Sequence, residues 1–298
     1  MTRRTGLLLR LSVSIALLVA VATVVDTDRL LGHLHAFHPG WTALALLLML
    51  VQHGISAWRW RFTAHRLGVD LPRGTAVREY LLAGFVNQVL PGGVLGDVSR
   101  AWRHARGSGS AAAAVYAVAL ERASGQAVMA LLAAPALLTL GGLVPPGIAW
   151  PAAAATAAGA LVAARWLPEP PGTGAGGFLP AVRQALVARA ALPVQLLSSA
   201  LVVATYLAVY YAAARVIGAD IAGATLLPLV PVVLLAMLVP VTVAGWGLRE
   251  GAAALVWAAA GLDPAQGAAI AVAYGVLVLL GNLPGALCLS PRRMRGDR

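Results

Sequence analysis

Three acid–base pairs stand in or beside hydrophobic runs: Asp97 with Arg100, Glu121 with Arg122, and Arg249 with Glu250. On a helix opening near Leu95, Asp97 and Arg100 share one face. A charge near the bilayer centre costs about 2.5–3.5 kcal/mol on insertion scales, so such groups need mutual pairing or an enclosed polar cavity. Guanidinium groups supply bidentate donors suited to phosphate. The glycines in "NQVLPGGVLGDVSR" (87–100) and "PVTVAGWGLRE" (240–250) let backbone N–H groups approach a ligand, and half-helix N-termini add partial positive charge. The functional reading is a polar cavity between two halves of the chain that receives a charged headgroup. The plainer reading is that the pairs tie helices together or sit at the cytoplasmic interface. Asn87 and Asn282 fit either a cavity lining or interhelical hydrogen bonds.

Composition names the solvent around these residues. The chain of 298 residues is 60% hydrophobic and 11% charged, against about 25% charged in soluble domains, which places it in a bilayer. The net charge of +11 comes entirely from arginine on the basic side, since there is no lysine. In a membrane protein this excess marks cytoplasmic loops and contact with anionic headgroups, not nucleic acid. The single Cys288 excludes an intrachain disulfide framework and a multi-cysteine metal site. His33, His35 and His38 with Asp26 and Asp28 lack tight ligand spacing and read as an interfacial loop, so neither a metal nor another cofactor is expected. "PGGVLG" is not followed by G-K-[ST], as a Walker loop would be. No Ser/His/Asp or Cys/His constellation appears, so the chain is not expected to be an enzyme.

Apolar runs near 7–25, 40–58, 111–140, 148–166, 190–214, 221–239 and 266–288 are of spanning length; a stretch at 250–261 is shorter. Arg3, Arg4 and Arg10 put the N-terminus in the cytoplasm. The first run also fits a cleaved signal peptide, with Ala-x-Ala at 20–22. The second run returns to Arg59, Arg61, Arg66, Arg73 and Arg78, and Arg100, Arg103 and Arg106 follow the opening stretch. Both flanks of residues 80–98 therefore belong inside. The predicted solution is a re-entrant hairpin turning at Pro91-Gly92-Gly93, its non-helical backbone covered by protein or a water-filled cavity. Arg165, Arg183 and Arg189 and the C-terminal RRMRGDR are expected to be cytoplasmic too. Trp58, Trp60 and Trp150 read as interfacial anchors, and the small residues Ala152–Ala155 and Ala157–Ala160 with Gly159 as a close helix contact.

The two halves match. "PGGVLGDVSR" begins at 91 and "PVTVAGWGLR" at 240; both read P-x-x-x-x-G-x-x-x-R, and the neighbouring runs correspond at the same offset. The partners run in opposite directions, the pattern of an inverted-topology repeat with discontinuous helices near the midplane. The expected fold is an all-α polytopic membrane protein of six to eight transmembrane helices with re-entrant half-helices. It forms one membrane domain over 1–298, with pseudo-halves of about 1–149 and 150–298. Whether 221–261 is a second hairpin or two spans stays open.

At these residues the chain resembles a known family. "LPGGVLGDVSRAWR" (90–103), "ALERASG" (119–125) and "PVTVAGWGLREGA" (240–252) resemble signatures of the lysylphosphatidylglycerol synthase transmembrane-region family. This flippase-like group includes the flippase half of the bacterial multiple peptide resistance factor. The resemblance implies movement of lipids between leaflets of a bacterial inner membrane. It implies a substrate site at Pro91, Gly96, Asp97, Arg100, Glu121, Arg122, Pro240, Gly245, Gly247, Arg249 and Glu250, to which the reading above adds Asn87, Gly92 and Gly93. Two charges of the family pattern are missing: Gly125 stands where an acid is usual, and Tyr274-Gly275 where the last span often carries an Arg. The aminoacyl-transferring domain is also absent, so the chain is not expected to synthesise the aminoacylated lipid. The expected partner is a membrane phospholipid or lipid-linked substrate, with Asp97, Glu121 and Glu250 as candidate proton carriers. The alternative is a non-transporting scaffold or accessory partner of a glycosyltransferase or lipid-modifying enzyme.

Overall fold

The computed structural model describes residues 38–90, 93–142, 144–163, 177–239 and 242–289, with positions 12, 15, 16 and 19. The run at 7–25, most of the 168–177 loop, Arg165 and the tail from 290 lie outside the described residues, as do His33, His35, Asp26 and Asp28. The described residues form ten α-helices and no sheet. The first half holds α1 (Pro39–Arg66), α2 (Arg73–Val89), α3 (Leu95–Gly107), α4 (Ala111–Leu140) and α5 (Pro146–Ala163). The second holds α6 (Phe178–Val182, prolonged by a π-helical turn to Val187), α7 (Leu192–Val216), α8 (Gly223–Ala236), α9 (Leu248–Ala259) and α10 (Pro264–Asn282, prolonged as a 3-10 helix to Leu289). Helices α1, α4, α7 and α10 with its extension are long and apolar enough to cross a membrane. They coincide with the runs at 40–58, 111–140, 190–214 and 266–288, giving the architecture of a multi-pass membrane protein.

One sequence of elements occurs twice. A long helix (α1, α7) ends in a glycine turn, a second helix (α2, α8) leads to a break, a short helix follows (α3, α9), and a long helix closes the series (α4, α10). The turns carry similar sequences, "LGVDLP" at 67–72 and "IGADIA" at 217–222. Gly68 (φ 76°) and Gly218 (φ 66°) adopt the left-handed conformation that closes a helix with a Schellman motif. In the first turn Val69 N–H donates to Ala64 O and Gly68 N–H to His65 O, both at 3.0 Å. In the second, Ala219 N–H donates to Ala214 O at 2.9 Å and Gly218 N–H to Arg215 O at 3.2 Å.

Buried apolar residues form two main clusters, each drawn largely from one half of the chain. One apolar cluster gathers Trp60, Leu67, Leu71, Tyr80 and Leu120 in the first half; the other gathers Tyr210, Leu226, Val230, Trp257 and Ile270 in the second. Between them α1 packs along α7 through a polar seam. Gln52, Ser56, Arg59 and Thr63, one stripe of α1, are all buried. Thr205 Oγ1 donates to Gln52 Oε1 at 3.2 Å, and Gln195 Nε2 donates to Thr63 Oγ1 at 2.8 Å. Lipid tails are as apolar as leucine, so hydrogen bonds and small residues hold such helices together.

Two expectations are corrected. Trp60 is no interfacial anchor: it is fully buried, its ring edge-on to His104, whereas Trp58 is exposed and stacked on Phe62. Most of the small residues of α5 face outward: Ala152, Ala154, Ala155 and Ala158 are exposed, and nothing lies within 4 Å of a Cβ at Gly159. The physical reason is position, since α5 packs chiefly on one helix, α4.

Candidate polar site at the broken helices

The first acid–base group is a buried network drawn from four elements. Glu121 on α4 is fully buried. Arg59 Nη2 on α1 donates to its Oε1 at 2.5 Å and Arg100 Nη2 on α3 to its Oε2 at 2.8 Å. Arg59 Nη1 donates to Ser199 Oγ on α7 at 2.9 Å. Arg100 continues to Asp97: its Nε donates to Oδ1 at 2.9 Å, and Arg122 Nη2 donates to the same oxygen at 2.8 Å. The guanidinium of Arg100 lies between the rings of Trp60 and Tyr80, 4.5 and 4.7 Å from their centroids, so aromatic faces replace part of its lost hydration. Arg122 differs from its partners in keeping 34% of its side-chain surface open.

Asn87 joins this network to the break. Its Nδ2 donates to Asp97 Oδ2 at 3.0 Å and its Oδ1 accepts Gly96 N–H at 2.7 Å, fixing the end of α2 to the start of α3. Gly96 permits the approach, because a Cβ there would collide with the carbonyl of Ala83.

The second group is smaller and closed. Arg249 and Glu250, 1% and 0% exposed, pair directly through Arg249 Nη2 and Nε. Glu250 Oε2 accepts Gly247 N–H at 2.7 Å, which caps α9 after the left-handed residues Ala244, Gly245 and Gly247. Arg249 lies over Trp246 and over Tyr274 of α10, 4.9 and 5.6 Å from the centroids. It occupies the notch left by Gly275, where a Cβ would overlap the guanidinium. The space beside Gly275 on α10 is thus filled by the Arg of α9. Gly125 makes comparable room for Arg59, whose Nη2 would lie 3.3 Å from a Cβ there.

The breaks meet at a cavity of about 90 Å³, bounded by Asn87, Gln88 and Gly93 of the first half and by Met237, Thr242 and Gly245 of the second. The predicted residues therefore fall into three places. Asp97, Arg100, Glu121 and Arg122 form one network with Gly96 and Asn87. Arg249, Glu250 and Gly247 form another. Gly93 and Gly245 line the cavity beside Asn87. Pro91, Gly92 and Pro240 lie outside the described residues. Asn282 serves instead as an interhelical contact, its Oδ1 3.1 Å from His53 Nε2 of α1. The sequence reading passed over Arg59, counted there as a cytoplasmic loop charge, along with Tyr80, Ser199 and Thr242. Arg59 could have been found from the stripe 52, 56, 59, 63, whose helical spacing puts it in line with three other polar residues on α1.

The sequence model of the family described as lysylphosphatidylglycerol synthase TM region matches residues 7–285, and the chain belongs to that family. No curated protein and no solved structure matches it.

Proposed function

We propose that this family member moves an anionic phospholipid or lipid-linked intermediate between leaflets, with Arg122 meeting its phosphate. The charge of the first network carries the reading. Among the described residues Arg59, Arg100 and Arg122 pair with only two carboxylates, Asp97 and Glu121, leaving one cation in excess, and Arg122 is the cation with an open surface. A phosphodiester would neutralise it through charge-assisted hydrogen bonds. Arg100 and Arg249 stand behind, buried and paired with Glu121 and Glu250, and would reach a phosphate only when the breaks open.

The halves are read as inverted repeats, with α2–α3 and α8–α9 as re-entrant hairpins meeting at their tips. The repeated element order supports this. So does the shortness of α8: 14 residues reach about 21 Å at 1.5 Å per residue, well under a hydrocarbon core of about 30 Å. Rocking of one half against the other would carry the headgroup past the cavity, either down its gradient or coupled to an ion. Asp97, with 14% of its side chain exposed, is the most accessible of the candidate proton carriers.

A second reading, a non-transporting accessory partner of a glycosyltransferase or lipid-modifying enzyme, is favoured by one observation: Arg249 and Glu250 satisfy each other as a structural ion pair would. Proteoliposomes holding a fluorescent anionic phospholipid, with a membrane-impermeant quencher outside, separate the two. Transport predicts that the inner-leaflet fraction becomes quenchable faster than in protein-free vesicles; an unchanged rate contradicts it.

A further inference from the structure

We infer that His53 is a proton-binding site near the middle of the membrane, and that its proton latches the first half of the chain to the second. The latch stands on geometry alone; its link to transport rests on the function proposed above. His53 falls midway along α1 (Pro39–Arg66) and is 5% exposed. An ionisable side chain at such depth is costly to keep and marks a functional site. The network around Glu121 makes no use of it.

The ring faces one acceptor more than a neutral imidazole can serve. Its Nδ1 lies 2.5 Å from Met49 O, one turn back on α1, and its Nε2 3.1 Å from Asn282 Oδ1 on α10. The amide cannot be turned round, because Asn282 Nδ2 donates to Val278 O at 2.7 Å and a carbonyl only accepts. A neutral imidazole carries one N–H, so either tautomer sets a ring lone pair against an oxygen. The imidazolium donates to both, and hydrogen bonds from a charged donor are the stronger kind.

The neighbouring helices bring no counter-charge into contact with the ring. From α2 comes Tyr80, edge-to-face with His53 at 6.2 Å. Beyond that ring stand Glu121 of α4, 3.5 Å from the Tyr80 hydroxyl, and the guanidinium groups of Arg100 and Arg122, already engaged with Glu121 and Asp97. Helix α10 carries no charged residue along its length. Helix α7 presents Ser199 and Thr205, which bond Arg59 and Gln52. Two neutral oxygens therefore hold the proton, one from each half. A Cβ at Gly84 of α2 would collide with Asn282 Oδ1 and crowd His53 Nε2, and one at Gly281 of α10 would collide with Met49, so both glycines make room for the contact. Three residues beyond Gly84, Asn87 holds Asp97 of α3, which connects the latch to the first break. When the halves part, Asn282 leaves Nε2, and a buried charge short of a partner is costly. The Nε2–H bond then breaks and its proton passes to water entering the gap, while Nδ1–H stays on Met49 O. Opening releases a proton, and closing takes one up.

The test follows the proton. The full-length protein, isotope-labelled at its histidine nitrogens, is examined in liposomes by solid-state nuclear magnetic resonance, with His53→Gln identifying the signals of His53. Between about pH 5 and 8, the range in which imidazole titrates, His53 is expected to carry protons on both nitrogens at the acid end and to lose that on Nε2 as pH rises. Asn282→Asp, which keeps the oxygen and adds charge, should hold the second proton to higher pH. Asn282→Leu, which removes the acceptor, should lose it at lower pH; should this variant fail to fold, the Asp variant still decides. A single N–H on His53 throughout that range overturns the inference, as does a titration unmoved by Asn282→Asp. In proteoliposomes, translocation of a fluorescent anionic phospholipid is expected to respond to an imposed pH gradient, and the response to be lost in His53→Gln. Translocation indifferent to the gradient overturns the link between latch and transport. The expected titration without any translocation overturns the transport reading and leaves the proton site standing.

Discussion

Arg59 on α1 and Arg100 on α3 hold opposite oxygens of one carboxylate, that of Glu121, at 2.5 and 2.8 Å. The first break is thereby tied to two long helices, α1 and α4, at a point with no access to solvent. Removing the carboxylate leaves two buried cations short of a partner, and breaking a buried pair costs about 3–5 kcal/mol. Glu121→Gln is therefore expected to lower the melting temperature of the detergent-solubilised protein sharply, and Arg122→Gln only slightly. Equal melting temperatures for the two variants would contradict the buried role of Glu121.

Gly275→Ala is expected to displace the Arg249 guanidinium from its notch and weaken its pairing with Glu250. The loss should be non-additive, because both changes act on one contact. On an Arg249→Ala background the same Gly275→Ala change should cost little. A thermal-unfolding double-mutant cycle checks this, and additive effects would mean the notch and the guanidinium are independent.

His104, on α3 outside the long helices, gives a pH dependence. Burial, aided by the charge of Arg100, holds its imidazole below the ordinary histidine value, against the Asp70 carbonyl that accepts from Nε2 at 3.2 Å. A histidine whose value falls on folding favours the folded state while neutral. That contribution is complete above about pH 6.5 and is lost as pH falls toward the lowered value. Melting temperature should therefore decrease between about pH 6.5 and 5, with a shallower slope in His104→Gln; identical slopes would contradict the assignment.

The hairpin reading predicts that reporters fused at residues 70 and 105, on either side of α2 and the first break, both report cytoplasm. Opposite sides would make the segment between them a true span.

What the sequence made legible follows from how each signal arises. The long helices appear as continuous apolar runs, and the breaks as Pro and Gly within them, because hydrocarbon punishes exposed backbone wherever helix is interrupted. Asp97, Arg100, Glu121 and Arg122 were visible as charges in apolar surroundings, and they do converge. Arg59 was not, because the arginines from Arg59 to Arg78, on α1 and α2, satisfy the positive-inside rule equally well, and only the burial of its helix face against α7 sets it apart. The turns "LGVDLP" and "IGADIA" match each other more clearly than the glycine breaks do, yet they consist of ordinary loop residues whose equivalence rests on backbone conformation. The alanines of α5 misled for the opposite reason: small residues permit a close contact without requiring one.

The central claim is that the surplus cation of the first network receives the lipid phosphate. Arg122→Gln tests it most directly, because Asp97 keeps Arg100 and Asn87 as partners and the fold should persist. In proteoliposomes matched for folded protein, the account predicts that translocation of an anionic phospholipid falls at least about tenfold, the equivalent of about 1.4 kcal/mol, with partial recovery in Arg122→Lys. Translocation by Arg122→Gln at the unaltered rate would contradict it.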